Sequence, residues 1–369
     1  MTATTTPPVQ TVAPVLVVTT PIPTATTDPG FETKGSVDKI YYYIIDGTPG
    51  FIPAEVFTGV NDYITSFGNI YDGDDYNAIV DNEVQKKYVS KMVENIRRAA
   101  KKPDDEARIA ISLVQHIKYD ANTLNEFKYN KSKSGQKYIG RYPYTILFEN
   151  WGGVCGEKSF LLALLLKELG YGVALYEFDN MGLGGTGHIA LGIKAPAQYT
   201  YKGTGYALIE STSPEIPTFD EYSFAGTNVT MSSTNPTKTV IVSDGKSFTT
   251  IGTEYSDAQR ERSIYQAMGK VKAAATVANA AAEHLDQLKA KADYWRNLAQ
   301  NEPSYDRYQY YLSMFKLASA DYENYYNQVY NPAYIAWKNL KDDYQNNFAP
   351  KQKDLEDKYG MTTGIGVGL

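Results

Sequence analysis

The chain carries one cysteine, and its setting invites chemistry: Trp151, Gly152, Gly153, Val154, Cys155, Gly156, Glu157, Lys158 and Ser159 lead directly into the apolar run 160–166. Glycines on both sides let the backbone turn tightly and come close to a substrate. The run that follows reads as a helix over 156–169, so the cysteine sits in its first turn. There the positive end of the helix dipole and the unsatisfied N–H groups favour a thiolate, the nucleophilic form. The Cys155 backbone N–H is also placed to donate to an oxyanion. The alternative is an inert buried thiol, which is what most free cysteines are, but those lie within apolar runs rather than between glycines. With a single cysteine no intramolecular disulfide can form, so packing must hold the fold.

A thiolate nucleophile needs a proton shuttle, and the chain has three histidines. His284 falls in a long Ala-, Lys- and Glu-rich helical stretch and reads as a surface or seam residue. His116 sits beside the apolar face of a helix and reads as structural. His188 follows the glycine-rich loop 181–187 and opens a strand, a position suited to the rim of a cleft. The histidine in turn needs an acceptor to fix its tautomer and steady the imidazolium. The next strand, 205–210, ends in a carboxylate, and its period of two puts Tyr206, Leu208 and Glu210 on one face. The candidate catalytic residues are therefore Cys155, His188 and Glu210, with Glu215 and Asp220 as fallback acids.

The elements that position these residues are legible from patterning. Residues 31–65 read as a β-hairpin or two, with Asp46-Gly47 and Pro49-Gly50 as turn chemistry. Val84, Tyr88, Met92 and Ile96 fall four apart on one helix face over 81–100. Pro103 and the acids after it open a second helix, whose apolar face is Ala110, Leu113, Val114 and Ile117. Residues 120–145 read as a long polar loop. After the cysteine helix, which Gly170 ends, strands are expected over 173–178, 188–194, 205–210 and 239–242. From 256 to 300 the residues Ile264, Met268, Val271, Ala275, Ala278, Ala282, Leu285, Leu288, Ala292 and Trp295 form a coiled-coil-like seam. Breaks at Asn301–Pro303 and Asn331-Pro332 then divide three long helices, packed antiparallel.

Five short stretches taken together resemble the transglutaminase-like superfamily, above all its prokaryotic and archaeal-type members: Tyr142-Pro143 with Thr145 and Leu147; Gly153 and Cys155 with Ser159; Leu169-Gly170-Tyr171; His188 with Ala190; and Glu210 with Thr212. The resemblance covers about residues 81–215. It departs from the better-known members at Glu210, where they carry Asp. It implies an α+β fold with a papain/transglutaminase-like core, the cysteine helix packed on an antiparallel sheet that holds the histidine and the acid. It also implies thioester chemistry on protein or peptide amide bonds, and an oxyanion donor upstream of the cysteine, for which Gln115 is the candidate. Hydrolysis by a cysteine peptidase or amidase is the favoured expectation, since water is always present. Protein cross-linking is the runner-up, and a non-catalytic surface binding or adhesion module is the reading from another class.

Three domains are expected: a Thr/Pro-rich stalk or linker over 1–30, a catalytic domain over 31–250, and a C-terminal antiparallel long-helix hairpin or bundle over 251–369. The formal net charge of −6 and the lack of a basic stripe exclude nucleic acid as a natural partner. No run is apolar enough to cross a membrane, so membrane attachment is expected only through an anchor outside this sequence. The stalk, with sequons at Asn130 and Asn228, points to an extracellular or cell-surface location. No cofactor is expected. The acidic cluster Asp72, Asp74, Asp75 and Asn77 has some likeness to a calcium loop but lacks the spaced glycine and distal glutamate, so it reads as a solvated turn. Tyrosine is abundant, 32 residues against 13 Phe and 3 Trp. It suits half-wet packing, and the dozen from Tyr294 to Tyr359 offer a contact surface for an oligomer or a partner.

Overall fold

The computed structural model describes residues 30–120, 122–123, 137–149, 152–179, 181, 187–221 and 230–361. Residues 1–29 of the expected stalk, Trp151, both sequon asparagines, and most of the 120–145 and 181–187 loops lie outside these residues. The chain is mixed α+β, with antiparallel sheets and a long C-terminal helical region. It divides into two units. The first takes the described residues up to Tyr43, then Pro49–Ser213 and those of 223–250; the second takes Ile44–Thr48, Pro214–Tyr222 and those from Ile251 onward.

β1 (Ser36–Ile45) and β2 (Thr48–Phe57) form one hairpin, whose strands up to Tyr43 and from Pro49 belong to the first unit. Asp46 and Gly47, at φ 49° and 71°, make the turn, the left-handed pair that a two-residue hairpin loop requires. Pro49-Gly50 lies inside β2 rather than forming a second turn. Helix α1 (Thr58–Thr65), β3 (Ile70–Tyr71) and α2 (Tyr76–Val80) follow. Next come α3 (Glu83–Ala99), which buries Tyr88, Met92 and Ile96, and α4 (Asp105–His116). The loop expected over 120–145 is corrected at its end. Residues Tyr138–Gly140 form β4, paired with β3, and Pro143–Glu149 form α5. Pro143 opens α5 at the one helical position where its missing N–H costs nothing.

Helix α6, Cys155–Glu168, is the centre of the unit. Its side chains from Phe160 to Leu166 are all fully buried, as befits a helix apolar on every side. Its C-terminus closes in a Schellman motif: Gly170 N donates to Lys167 O at 2.8 Å and Tyr171 N to Leu166 O at 3.0 Å. Gly170, at φ 92°, supplies the left-handed residue. Helices α3, α4 and α5 pack on α6, and a four-stranded antiparallel sheet covers it from the other side. The sheet runs in the order β7-β6-β5-β8, with β5 at Val173–Phe178, β6 at His188–Lys194, β7 at Tyr206–Ile209 and β8 at Lys238–Ser243.

The second unit is helical. Helix α7, Gly252–Gln300, has 49 residues, about 74 Å of helix. Ile264, Met268, Val271, Ala278, Ala281, Leu285, Ala292 and Ala299 are buried along it, a three-and-four alternation. The chain reverses at Asn301–Pro303 into α8 (Tyr305–Tyr325), which packs along α7. The break expected at Asn331-Pro332 does not occur. A π-helical turn, Tyr326–Tyr330, precedes α9 (Asn331–Asp343), and a second, Tyr344–Phe348, precedes α10 (Ala349–Tyr359). The wider turn moves away the carbonyl that a proline ring would strike, so Pro332 and Pro350 are carried without ending the helical run. Ile216, Phe219, Ala258, Met268, Tyr344 and Leu355 belong to this unit's core. Among the described residues no helix is long and apolar enough to cross a membrane.

Candidate functional site

Cys155 is the first residue of α6 and is half-buried. As that first residue, it has no partner for its own N–H within the helix. The turn before it is fixed by backbone bonds: Gly153 N donates to Lys118 O at 3.0 Å, and Asp120 N to Gly153 O at 3.2 Å. Glu157, in the first turn, reaches back to accept from Val154 N at 2.9 Å. It is fully buried and is held by Arg141, through Nε at 2.7 Å and Nη2 at 2.9 Å, and by Tyr138 Oη at 3.1 Å. Arg141 also donates to the Gly152 carbonyl at 3.1 Å and pairs with Glu149. A fully buried carboxylate and a half-buried guanidinium thus lock both sides of the Cys155 turn. Gly156 is needed for a separate reason: a Cβ there would lie 2.3 Å from the Ile139 carbonyl oxygen.

His188 opens β6, opposite Phe178 of β5. Leu191 pairs with Ile209 of β7, so continuing the register sets Ala190 against Glu210. A period of two then puts His188 on the same face as that carboxylate. The side chains meet there: His188 Nε2 and Glu210 Oε2 are 2.8 Å apart. The other side of the imidazole is hydrogen-bonded to Cys155, whose sulfur also accepts from the Ile189 backbone N–H. Since Nε2 is committed to the carboxylate, Nδ1 is the nitrogen left for the sulfur. Glu210 Oε1 accepts from Thr212 N at 2.8 Å and Thr212 Oγ1 at 2.7 Å. Ser159 Oγ ties the helix to the strands, donating to Ile189 O at 2.9 Å and meeting Ser211 Oγ at 2.9 Å.

The electrostatics follow from this chain of contacts. His188 and Glu210 are 3 % and 2 % exposed, and burial alone would suppress both charges. It lowers the imidazole, but Glu210 and then the Cys155 sulfur more than offset it, so His188 is raised to about 10. Burial raises the Glu210 carboxyl, yet His188 and the Thr212 donors hold it below its ordinary value. Burial also opposes a Cys155 thiolate; the His188 hydrogen bond and charge and the Ile189 N–H outweigh it and bring the thiol below its usual range. Two anions thus flank one cation, an arrangement that favours a thiolate–imidazolium pair backed by a carboxylate.

The remaining candidates lie elsewhere. His116 Nδ1 donates to Ser112 O at 2.7 Å and its ring meets Tyr42 edge-on; burial pushes its pKa down. His284 packs against Tyr325, within the α7–α8 pair. Asp220 pairs with Arg262, and Glu215 Oε1 accepts from Ile216 N. Gln115, the expected oxyanion donor, is buried near the end of α4. Its Nε2 donates to the Glu210 backbone carbonyl at 2.8 Å, because the end of α4 lies beside the end of β7, and this makes it a brace for the carboxylate's segment. The acidic cluster serves as turn and cap: Asp75 Oδ1 accepts from Asn77 N and Ala78 N at the start of α2, and Asp74 Oδ2 from Tyr71 N. Among the described residues no three His, Cys, Asp or Glu side chains gather as metal ligands would. Sequence reasoning missed Arg141, Glu157 and Lys158. The available signal was that α6 is apolar all round, so charges at 157 and 158 had to be buried and paired. Comparison of the chain with protein-family models, curated proteins and solved structures found no significant match.

Proposed function

We propose that this protein is a cysteine-nucleophile enzyme of the transglutaminase-like class, with a papain/transglutaminase-like core, that hydrolyses amide bonds of proteins or peptides through a thioester. The observation that carries the reading is the continuous hydrogen-bond chain from Cys155 through His188 to Glu210. The Cys155 thiolate attacks the amide carbonyl carbon, and the carbonyl oxygen becomes an oxyanion facing the Cys155 N–H. His188, protonated and held by Glu210, gives its proton to the leaving amine as the C–N bond breaks. The neutral imidazole then takes a proton from water, which attacks the thioester. The acid is released, and the thiolate–imidazolium pair is restored. Glu210 stays ionised throughout.

A contact role for the second unit is compatible with this chemistry. Tyr294, Tyr305 and Tyr310 are 58 %, 74 % and 56 % exposed, and amphipathic rings of this kind suit a partner or substrate surface. The Thr/Pro-rich sequence of residues 2–29 supports work at a cell surface. The test is iodoacetamide alkylation of Cys155 across pH, in the wild type and in His188→Ala. Wild-type alkylation well below the pH of a free thiol, with the advantage lost in the variant, is the expected result. A cysteine that reacts only after unfolding would end the enzymatic reading and leave a binding module. Adding a small primary amine during turnover of a peptide substrate separates the two acyl acceptors: free acid as product supports hydrolysis, and amine incorporation marks a cross-linking enzyme.

A further inference from the structure

Lys158 lies one turn beyond Cys155 on α6, and its side chain is fully buried. Its Nζ donates to three backbone carbonyls: Gln115 at 3.2 Å, Ile117 at 2.6 Å and Thr212 at 2.8 Å. An ammonium has three donors and no acceptor, so three carbonyls saturate the charged form, whereas a neutral amine would fall one donor short. The acceptors come from two separate segments. Gln115 and Ile117 are at the end of α4, and Thr212 follows β7. Both segments also hold Glu210, Gln115 through the backbone carbonyl and Thr212 through the carboxylate.

We propose that Lys158 is a positioning residue of this site: its ammonium, anchored on the Cys155 helix, fixes the Gln115 and Thr212 segments so that Glu210 keeps its hold on His188. The inference rests on the cysteine-nucleophile reading. Two titratable groups face the ammonium: Glu210, whose charge favours it, and His116, whose protonation it opposes. Burial pushes Lys158 down to about 7, with Glu210 pulling the other way. The clamp is complete below that value, where the ammonium persists, and loses a donor as pH rises through it.

The test compares full-length wild type with Lys158→Met and Lys158→Gln, using iodoacetamide alkylation of Cys155 across pH, with circular dichroism to establish folding. In Lys158→Met the alkylation profile should move to higher pH by about one unit, a roughly ten-fold slower reaction on the acid side. Lys158→Gln, which keeps two N–H donors, should fall between. A folded Lys158→Met with the wild-type profile overturns the proposal. If neither variant folds, wild type with 15N-labelled lysine and histidine side chains decides by NMR. His188 ring resonances that step with the Lys158 titration support the clamp, and resonances indifferent to it refute it. A wild-type Cys155 with no reactivity at low pH is a separate result; it sinks the nucleophile reading and takes this proposal with it.

Discussion

Replacing Glu210 by Gln removes one charge while keeping the shape, and its effect on the sulfur can be worked from the geometry. The carboxylate acts on Cys155 in two opposed ways. Directly, it repels the thiolate; indirectly, it holds the imidazolium that attracts it. At an effective dielectric of about 20, an imidazolium about 4 Å from the sulfur is worth about 4 kcal/mol. The carboxylate lies 2.8 Å beyond the ring, which puts it about 8 Å from the sulfur and makes its repulsion worth about 2 kcal/mol. The indirect effect wins by about 2 kcal/mol, or about 1.5 pH units in the thiol's titration. Hydrogen bonding adds to this. Glu210 accepts from His188 Nε2, Thr212 N and Thr212 Oγ1, and an amide has one oxygen for those three donors. Either His188 or Thr212 must then face an NH2 group, which favours the wrong tautomer. The assay is the pH profile of Cys155 alkylation in the folded variant. Its midpoint should rise by about 1.5 units, about thirty-fold slower alkylation on the acid side. A folded Glu210→Gln within about 0.3 unit of wild type would refute the claim that this carboxylate holds the imidazolium.

Three other outcomes are expected. Gly156→Ala would press a Cβ to 2.3 Å from the Ile139 carbonyl, so denaturant unfolding should show a loss of about 1–3 kcal/mol, and the displaced helix start should slow alkylation. Arg141→Met strips the buried Glu157 of its cation and should cost about 3–5 kcal/mol by the same measurement; a loss below about 1 kcal/mol would show that water or another group supports Glu157. In the second unit, burial and the neighbouring Glu356 raise the Glu261 carboxyl to about 7. The folded state therefore holds a proton that the unfolded chain releases near its ordinary value. Glu261 thus makes the unit less stable as pH rises from about 4.5 to about 7. Thermal melts should show Glu261→Gln gaining about 3 kcal/mol over wild type at pH 8 and almost nothing at pH 4.5; an equal effect at both would place the cause in packing.

The parts of the fold that sequence made legible are those where one residue's chemistry decides the local structure. Asp46-Gly47 and Gly170 take positive φ where a turn and a helix end require it, and the short, largely apolar segments 173–178 and 188–194 form strands over those same residues. The reading failed where a distant partner decides. The expected loop over 120–145 takes its end, 138–145, together with the Lys- and Ser-rich stretch before it, but Arg141 faces the buried Glu157 and Tyr144 is fully buried, so β4 and α5 form around α6. Pro332 reads as a break because a periodicity of 3.6 has no place for it; a five-residue π turn ahead of it does. At the site, Cys155, His188 and Glu210 could be chosen by residue type and chain order. That the Gln115 amide reaches the Glu210 backbone carbonyl, 95 residues away, could not be read that way.

The proposed chemistry depends most directly on the charge state of one sulfur atom. Because Cys155 is the chain's single cysteine, the difference in ultraviolet thiolate absorbance between wild type and Cys155→Ser, followed across pH, reports on it alone. The thiolate signal should persist well below the ordinary thiol range and disappear only on further acidification. A signal that rises only near the ordinary thiol value, about 8.5, would contradict the thiolate–imidazolium pair and, with it, the proposed chemistry.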